Sequence, residues 1–301
     1  MYISIVLRTY NEDRYLEELL SAIRIQSVSS ELIETIVVDS GSTDQTLVIA
    51  KRFGCKILNI KKSEFTFGKS LNIGCAAAKG KYLVFVSGHC VPASESWLEK
   101  LVQPLESGLV DYAYGRQVGR DTTKFSEEQV FKKYFPRTSR VPQQGIFCNN
   151  ANAAITVEKW AQYKFDECLT GLEDMMLAKK IVEDGGKIGY VSDSTVFHIH
   201  DEPWGQVRTR YEREALALKE ILPEVHLSLF DCFRYFISGA FHDLVVSTKS
   251  YGYPRNLGEI IRFRLMQYWG AYRGNKAHRE VSAKRREEYF YPLHSGEKID
   301  R

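Results

Sequence analysis

The six cysteines of this 301-residue chain, Cys55, Cys75, Cys90, Cys148, Cys168 and Cys232, include no C-x-x-C pair. That scatter argues against a zinc ribbon, and a disulfide framework does not suit so long a chain, so reduced cytosolic thiols are expected. No run of about eighteen apolar residues occurs, so no membrane-spanning helix is expected. The first residues enter a strand without a basic segment followed by an apolar one, and a secretory leader is not expected. Neither sign of charge dominates. The 41 Lys and Arg against 38 Asp and Glu leave a formal +3, which gives no sign of a nucleic-acid partner. Internal repeats and low-complexity tracts are absent too. What remains is enough chain for a sizeable core, as one large domain or two ordinary ones.

Strand-like and helix-like stretches alternate through the first two hundred residues. Strands are expected at Ile3–Thr9, Thr35–Asp39, Lys56–Ile60, Tyr82–Ser87 and Asp111–Gln117. Helices are expected at Arg14–Gln26, from Ser42 or Thr43 through Arg52, at Lys69–Lys79 and at Glu95–Leu105. This order implies an α/β fold with a mostly parallel sheet and crossover helices. From Pro203 to Arg286 the periodicity is mainly helical, rich in aromatics and arginine. The expected plan is an α/β domain over residues 1–202 and a helical region over 203–301.

Several strands end on residues that carry chemistry. Thr9-Tyr10-Asn11-Glu12 follows the first strand, and a ring with polar groups there suits a nucleobase as well as it caps the next helix. Asp39 ends a buried strand, where an unpaired carboxylate would be expensive. A base N–H or a ribose hydroxyl would satisfy it, leaving the helix cap to Ser42, Thr43 and Asp44. Leu83 to Val86 runs into Ser87-Gly88-His89-Cys90, which sets a histidine and a cysteine at a strand end. Asn149, Asn150 and Asn152 precede a strand; amides donate and accept, as sugar hydroxyls require, although an Asn-rich turn is the plain alternative. Glu173 and Asp174 open a helix running to Asp184, where carboxylates either complement the dipole or serve as a base. His198 and His200, two apart on an expected strand, would point to the same side. Arg208, Arg210 and Arg213 follow, either as a solvated face or as a bidentate grip on phosphate.

In this order, the motifs resemble family 2 glycosyltransferases with the GT-A fold over roughly residues 1–215. The resemblance implies an inverting transferase that moves a sugar from a nucleoside-diphosphate donor to a hydroxyl of a glycan or lipid-linked acceptor. It implies surface polysaccharide synthesis such as capsule or O-antigen, in the cytoplasm and against the inner face of the cell membrane. Asp174 then takes the general-base role and Glu173 supports it. Thr9, Tyr10, Glu12 and Asp39 meet the nucleoside; Lys69, Asn72 and Ser87 approach the ribose or diphosphate; Asn150 meets the sugar; Arg210 and Arg213 meet the phosphates. The family's metal-holding Asp-x-Asp is here Ser87-Gly88-His89. His89 and His200 are therefore the expected ligands of a weakly held divalent cation, manganese or magnesium, with a metal-free site as the alternative.

Between Arg255 and Arg286 nine Lys and Arg face only Glu259 and Glu280, interleaved with Phe263, Tyr268, Trp269 and Tyr272. Such a stretch suits the surface of an anionic membrane, or packing, or a homodimer seam. Two other classes remain. A nucleotidyltransferase would carry a basic Gly-rich phosphate loop near the N-terminus, and none is present. A catalytically inactive nucleotide-sugar-binding protein is the reading that the missing Asp-x-Asp favours.

Overall fold

The computed structural model describes residues 2–249, 256–277 and 283–291. Ile3–Thr9 (β1) is buried along nearly its whole length, as expected of a strand rich in Ile, Val and Leu that is covered on both faces. The other strands are Ile33–Asp39 (β2), Lys56–Asn59 (β3), Tyr82–Val86 (β4), Cys90–Pro92 (β5), Tyr112–Val118 (β6), Asn152–Thr156 (β7) and Ile188–His198 (β8). They form one sheet in the order β3-β2-β1-β4-β7-β6-β8-β5. β1 pairs in parallel with β2 and β4, β2 with β3, and β6 with β8. β7 runs antiparallel to both β4 and β6, and β5 runs antiparallel to β8. The sheet is therefore mixed, with parallel pairings in the majority among the described residues.

Helices Asp13–Arg24 (α1), Thr46–Arg52 (α2), Phe67–Ala76 (α3), Trp97–Glu106 (α4), Phe125–Tyr134 (α5), Val157–Tyr163 (α6) and Glu173–Glu183 (α7) connect the strands. Leu16, Leu19 and Ile23 of α1 and Trp97, Leu98 and Leu101 of α4 join Ile3, Ile5, Val84 and Val86 in the main core. Two boundaries differ from expectation for local reasons. α2 begins at Thr46, not at Ser42 or Thr43, because residues 40–45 are drawn into bonds with the loop after β1 described below. β8 ends at His198, so strand alternation does not govern where His200 points.

The chain divides into two compact units. The first holds residues 1–120, 133–169 and 173–199, hence the whole sheet. The second holds 121–132, 170–172 and 200–301, two excursions that no single boundary drawn in the sequence contains. In the second unit Trp204–Ile221 (α8), Leu229–Lys249 (α9), Leu257–Lys276 (α10) and Ala283–Phe290 (α11) follow one another. α8 and α10 approach closely at Gly270 and Gly274, where any Cβ would overlap the Arg208 and Glu212 carbonyl oxygens. α9 and α10 are joined by a buried ion pair, Arg264 Nε to Asp243 Oδ2 at 2.7 Å and Nη2 to Oδ1 at 2.8 Å. Phe263 is fully buried and Tyr268 stacks on Tyr235. Arg255 and Arg279 of the basic stretch lie outside the described residues, as do the side chains of Lys284 and Arg286.

Candidate functional site

The strand directions bring the motifs to one edge of the sheet. Thr9 pairs with Asp39 at the ends of β1 and β2. β4 ends at Val86 opposite Asn152, the first residue of antiparallel β7, so the 148–151 loop reaches the edge where Ser87 to His89 emerge. β6 and β8 run out to the same edge with Gln117 and His198. Ligand crevices of open α/β sheets lie outside such strand ends.

Asp39 is buried and shapes this edge. Its Oδ1 accepts from the hydroxyls of Thr9 at 3.0 Å and Ser42 at 2.5 Å, and its Oδ2 accepts from the N–H groups of Gly41 and Ser42 at 2.8 and 2.9 Å. Asn11, with φ of 53°, laces the two loops: its N–H donates to Ser42 Oγ, and its Oδ1 accepts from the Thr43 N–H. Tyr10 meets Lys62, whose Nζ lies 5.2 Å from the ring centroid. Asn72 is fully engaged within the first unit. It donates to the Phe165 carbonyl and to Glu167, and it accepts from the Phe165 N–H and the Trp160 indole. Lys69 pairs with Glu64 at 3.2 Å.

Glu173 and Asp174 are both buried at the start of α7. Asp174 Oδ2 accepts from the Asn150 N–H and Oδ1 from the Met175 N–H, each at 2.8 Å. Burial first, and the neighbouring Glu173 carboxylate second, push the Asp174 carboxyl up to about 7, against the opposing pull of those N–H groups and Arg8. Arg8 Nη1 donates to Glu173 Oε1 at 2.9 Å, and its guanidinium lies 4.7 Å from the centre of the Phe67 ring. Sequence reasoning missed Arg8. Its signal was there, as the one cation inside the apolar strand Ile3–Thr9. A carboxyl titrating near neutrality, backed by an ion pair, is suited to accept a proton.

The three amides divide their work. Asn152 is consumed by structure: it accepts from the Trp97 indole and donates to the Arg116 and Ser194 carbonyls. Asn149 Oδ1 accepts from the Ala151 N–H and from Gln117 Nε2. Asn150 Oδ1 accepts from the buried Tyr112 hydroxyl, while Asn150 Nδ2 is a buried donor with no protein partner. A buried donor left unpaired is expensive unless a ligand satisfies it.

The histidines follow from the same network. The Ala151 N–H fixes Asn149 Oδ1, which fixes Gln117 Nε2, so Gln117 Oε1 faces His198 Nδ1 at 2.6 Å. His198 therefore donates from Nδ1, which in a neutral imidazole leaves the ring's lone pair on Nε2. His89 Nδ1 lies 3.1 Å from Glu12 Oε1, and the His89 and His198 rings stack at 5.1 Å. Glu12 reaches His89 across Gly88, where a Cβ would stand 2.9 Å from the Glu12 Cγ. Two imidazoles with anchored Nδ1 atoms fit a divalent cation, and suit manganese, iron or zinc better than magnesium.

His200 belongs to the second unit. Its Nδ1 lies 2.8 Å from Glu127 Oε1, which also accepts from Arg210 at 2.5 Å; Arg210 Nε donates to Glu202 at 3.0 Å. Burial would raise Glu127, but His200 and Arg210 overcome it and hold the carboxylate down at about 2. The Arg210 fork is thus already occupied by carboxylates. Arg213 donates to the Tyr289 carbonyl and packs at Gly171.

The family model for Glycosyl transferase family 2 matches residues 4–162, more than half of the chain. The O-antigen chain rhamnosyltransferase RfbN of Salmonella typhimurium is 24% identical over 214 residues, 67% of each chain. The poly(ribitol-phosphate) beta-N-acetylglucosaminyltransferase TarS of Staphylococcus aureus is 24% identical over 239 residues, 74% of this chain but only 38% of TarS. A solved structure of the mannosyltransferase PcManGT from Pyrobaculum calidifontis, in complex with GDP-Man and Mn2+, superposes with a TM-score of 0.62. It is 16% identical and covers 91% of this chain and 88% of its own. That likeness shows the fold.

Proposed function

Since the chain belongs to glycosyl transferase family 2 and carries the GT-A fold its motifs led us to expect, we propose that it is an inverting glycosyltransferase of surface polysaccharide synthesis. The donor is a nucleoside-diphosphate sugar and the acceptor a hydroxyl of a glycan or lipid-linked glycan. The observation that carries this reading is Asp174, a buried carboxylate raised to about 7 beside the Arg8–Glu173 pair.

Asp174 takes the proton of the acceptor hydroxyl as its oxygen bonds to the anomeric carbon and the bond from that carbon to the diphosphate oxygen breaks. Glu173 and Arg8 hold the carboxyl in place and set its charge. Asn150 Nδ2 donates to an oxygen of the bound sugar, which satisfies the buried amide. The loops held by Asp39 and Asn11 receive the nucleoside, with Thr9, Tyr10 and Ser87 at the rim, and Lys69 near the phosphates. A divalent cation, when bound, would neutralise charge on the departing diphosphate. We take its protein donors to be His89 and a histidine of the 198–200 stretch. The sequence points to His200; within the first unit the ring beside His89 is His198.

The test is a panel of UDP-, GDP- and dTDP-sugars, read by thermal shift and by release of nucleoside diphosphate, with manganese and then with chelator. A rise in melting temperature with one nucleotide class, together with slow donor hydrolysis, supports the transferase. Binding without any turnover would favour an inactive nucleotide-sugar-binding protein. No shift with any donor would overturn the nucleotide assignment. Separate His198→Ala and His200→Ala variants, titrated with manganese in the presence of nucleotide, tell the two histidines apart.

A further inference from the structure

Tyr112, the first residue of β6, is fully buried. A hydroxyl cut off from water needs a protein partner, and this one donates to Asn150 Oδ1. Its other neighbour is the buried thiol of Cys148. Burial above all, with Cys148, Asp174 and Glu173 nearby, raises the phenol well above its ordinary value, so the hydroxyl keeps its proton at neutral pH. Tyr112 is thus a permanent donor placed under the amide loop, and the reaction described above gives it no part.

An asparagine amide has two unlike ends, and turning it over exchanges an acceptor for a donor. The hydroxyl proton of Tyr112 settles which end faces the site. It has two acceptors in reach, the amide oxygen and a sulfur, and sulfur accepts weakly. The proton goes to Oδ1, which turns Nδ2 away from Tyr112. Nδ2 is the buried donor with no protein partner. The backbone of the same residue has a second task. The Asn150 N–H donates to Asp174 Oδ2 at 2.8 Å, so whatever holds Asn150 also holds the carboxyl that takes the proton.

We propose that Tyr112 is a specificity-determining positioning residue: through Asn150 it commits the site to a substrate oxygen with a free lone pair, a sugar hydroxyl or ring oxygen, and it keeps the Asn150 peptide on Asp174. The nature of the substrate rests on the transferase reading; the hold on Asp174 does not. Asp174 is faced by Glu173 on α7, Arg8 on β1, Tyr112 on β6, Cys148, and the N–H groups of Asn150 and Met175. Burial, the largest influence, raises its pKa, and the N–H bonds lower it. Tyr112→Phe removes one oxygen and keeps the ring. Where Tyr112 holds the Asn150 peptide, that N–H bond slackens in the variant and Asp174 rises above about 7. Where Tyr112 merely fills space, looser packing admits water and Asp174 falls.

The experiment follows the carboxyl carbon of Asp174 by NMR through a pH titration of the full chain without ligand, the resonance assigned by its loss in Asp174→Asn. Tyr112→Phe should move the midpoint to higher pH. A midpoint that falls or stays put overturns the proposal. Release of nucleoside diphosphate from the best donor of the panel reads the other half. Tyr112→Phe and Asn150→Ala should each lower kcat/KM about 10-fold, the worth of one oriented hydrogen bond. The double variant should lose no more than Asn150→Ala alone, since Tyr112 acts through that amide. Losses that multiply overturn the proposal, as does full kcat/KM in Tyr112→Phe. A wild type that neither binds nor turns over any donor overturns the transferase reading instead, and the titration of the free protein still decides whether Tyr112 holds Asp174.

Discussion

Asp174 shows how much a single side chain depends on its surroundings. At the mouth of a helix its charge would ordinarily be favoured, yet burial and Glu173 hold the proton on, and the carboxyl titrates near 7. Asp174→Asn should leave donor binding in place while turnover falls by about 10²–10⁴-fold, which steady-state kinetics on the best donor would measure. A finer test uses its neighbour. Glu173→Gln removes a like charge and frees Arg8, so the acidic limb of the rate profile should move to lower pH. An acidic limb that stays put would mean that another group titrates. Asn150 and Asn152 make a related point: identical side chains two residues apart, one presenting an unpaired buried donor and the other consumed by Trp97, Arg116 and Ser194.

Among the elements, the α9–α10 pair carries the clearest consequence. Asp243 is fully buried and answered by both Nε and Nη2 of Arg264. Arg264→Met strands that carboxylate and should cost about 3–5 kcal/mol, whereas adding Asp243→Leu should recover most of the loss, since apolar replacements of a buried pair are often neutral. Urea melts of the two variants would check it; equal destabilisation would mean the pair contributes little. α3 offers a contrast. Thr66 caps it by accepting from the Lys69 N–H, and Asn72 ties it to residues 160–167 through four hydrogen bonds. Asn72 was expected near the nucleotide from its motif, and the structure shows why that stretch of sequence has structural work whether or not it also meets a ligand.

At the scale of the whole molecule, two carboxyls tilt stability in opposite directions. Glu127 is held at about 2, below its ordinary 4.5. Its contribution is therefore complete above about 4.5 and is lost as pH falls toward 2. Asp174 is raised from 3.8 to about 7, so its burial weighs on the fold only as pH climbs through that window. Thermal melts should show Glu127→Gln flattening the acid decline, and Asp174→Asn flattening the decline between about pH 4 and 7. A wild-type-like slope in either variant would remove that residue from the account. The two groups lie in different units, so each slope reports on its own part of the chain.

Hydrophobic periodicity is local, and it placed β1, β2, β4, α7 and the helical C-terminal region within a few residues. The ends of those strands carried Thr9, Asp39 and His89, and from these and Glu173–Asp174 the family could be named. Partners far apart in sequence were another matter. Arg8 and Glu173 are 165 positions apart, and an arginine in a strand says only that it must be paired, not with what. Likewise β7 inserts antiparallel between β4 and β6, and that insertion alone carries the amide loop to the edge where Ser87 to His89 emerge. Glu127 gave no sign of its tie to His200 and Arg210, because an acid near the start of a helix reads as a dipole partner. In α9 the pattern promised one buried side, but an aromatic on the remaining side looks the same whether a neighbour covers it or not. Only the packed molecule decided which rings were left facing outward, because burial is set by what the rest of the chain brings near.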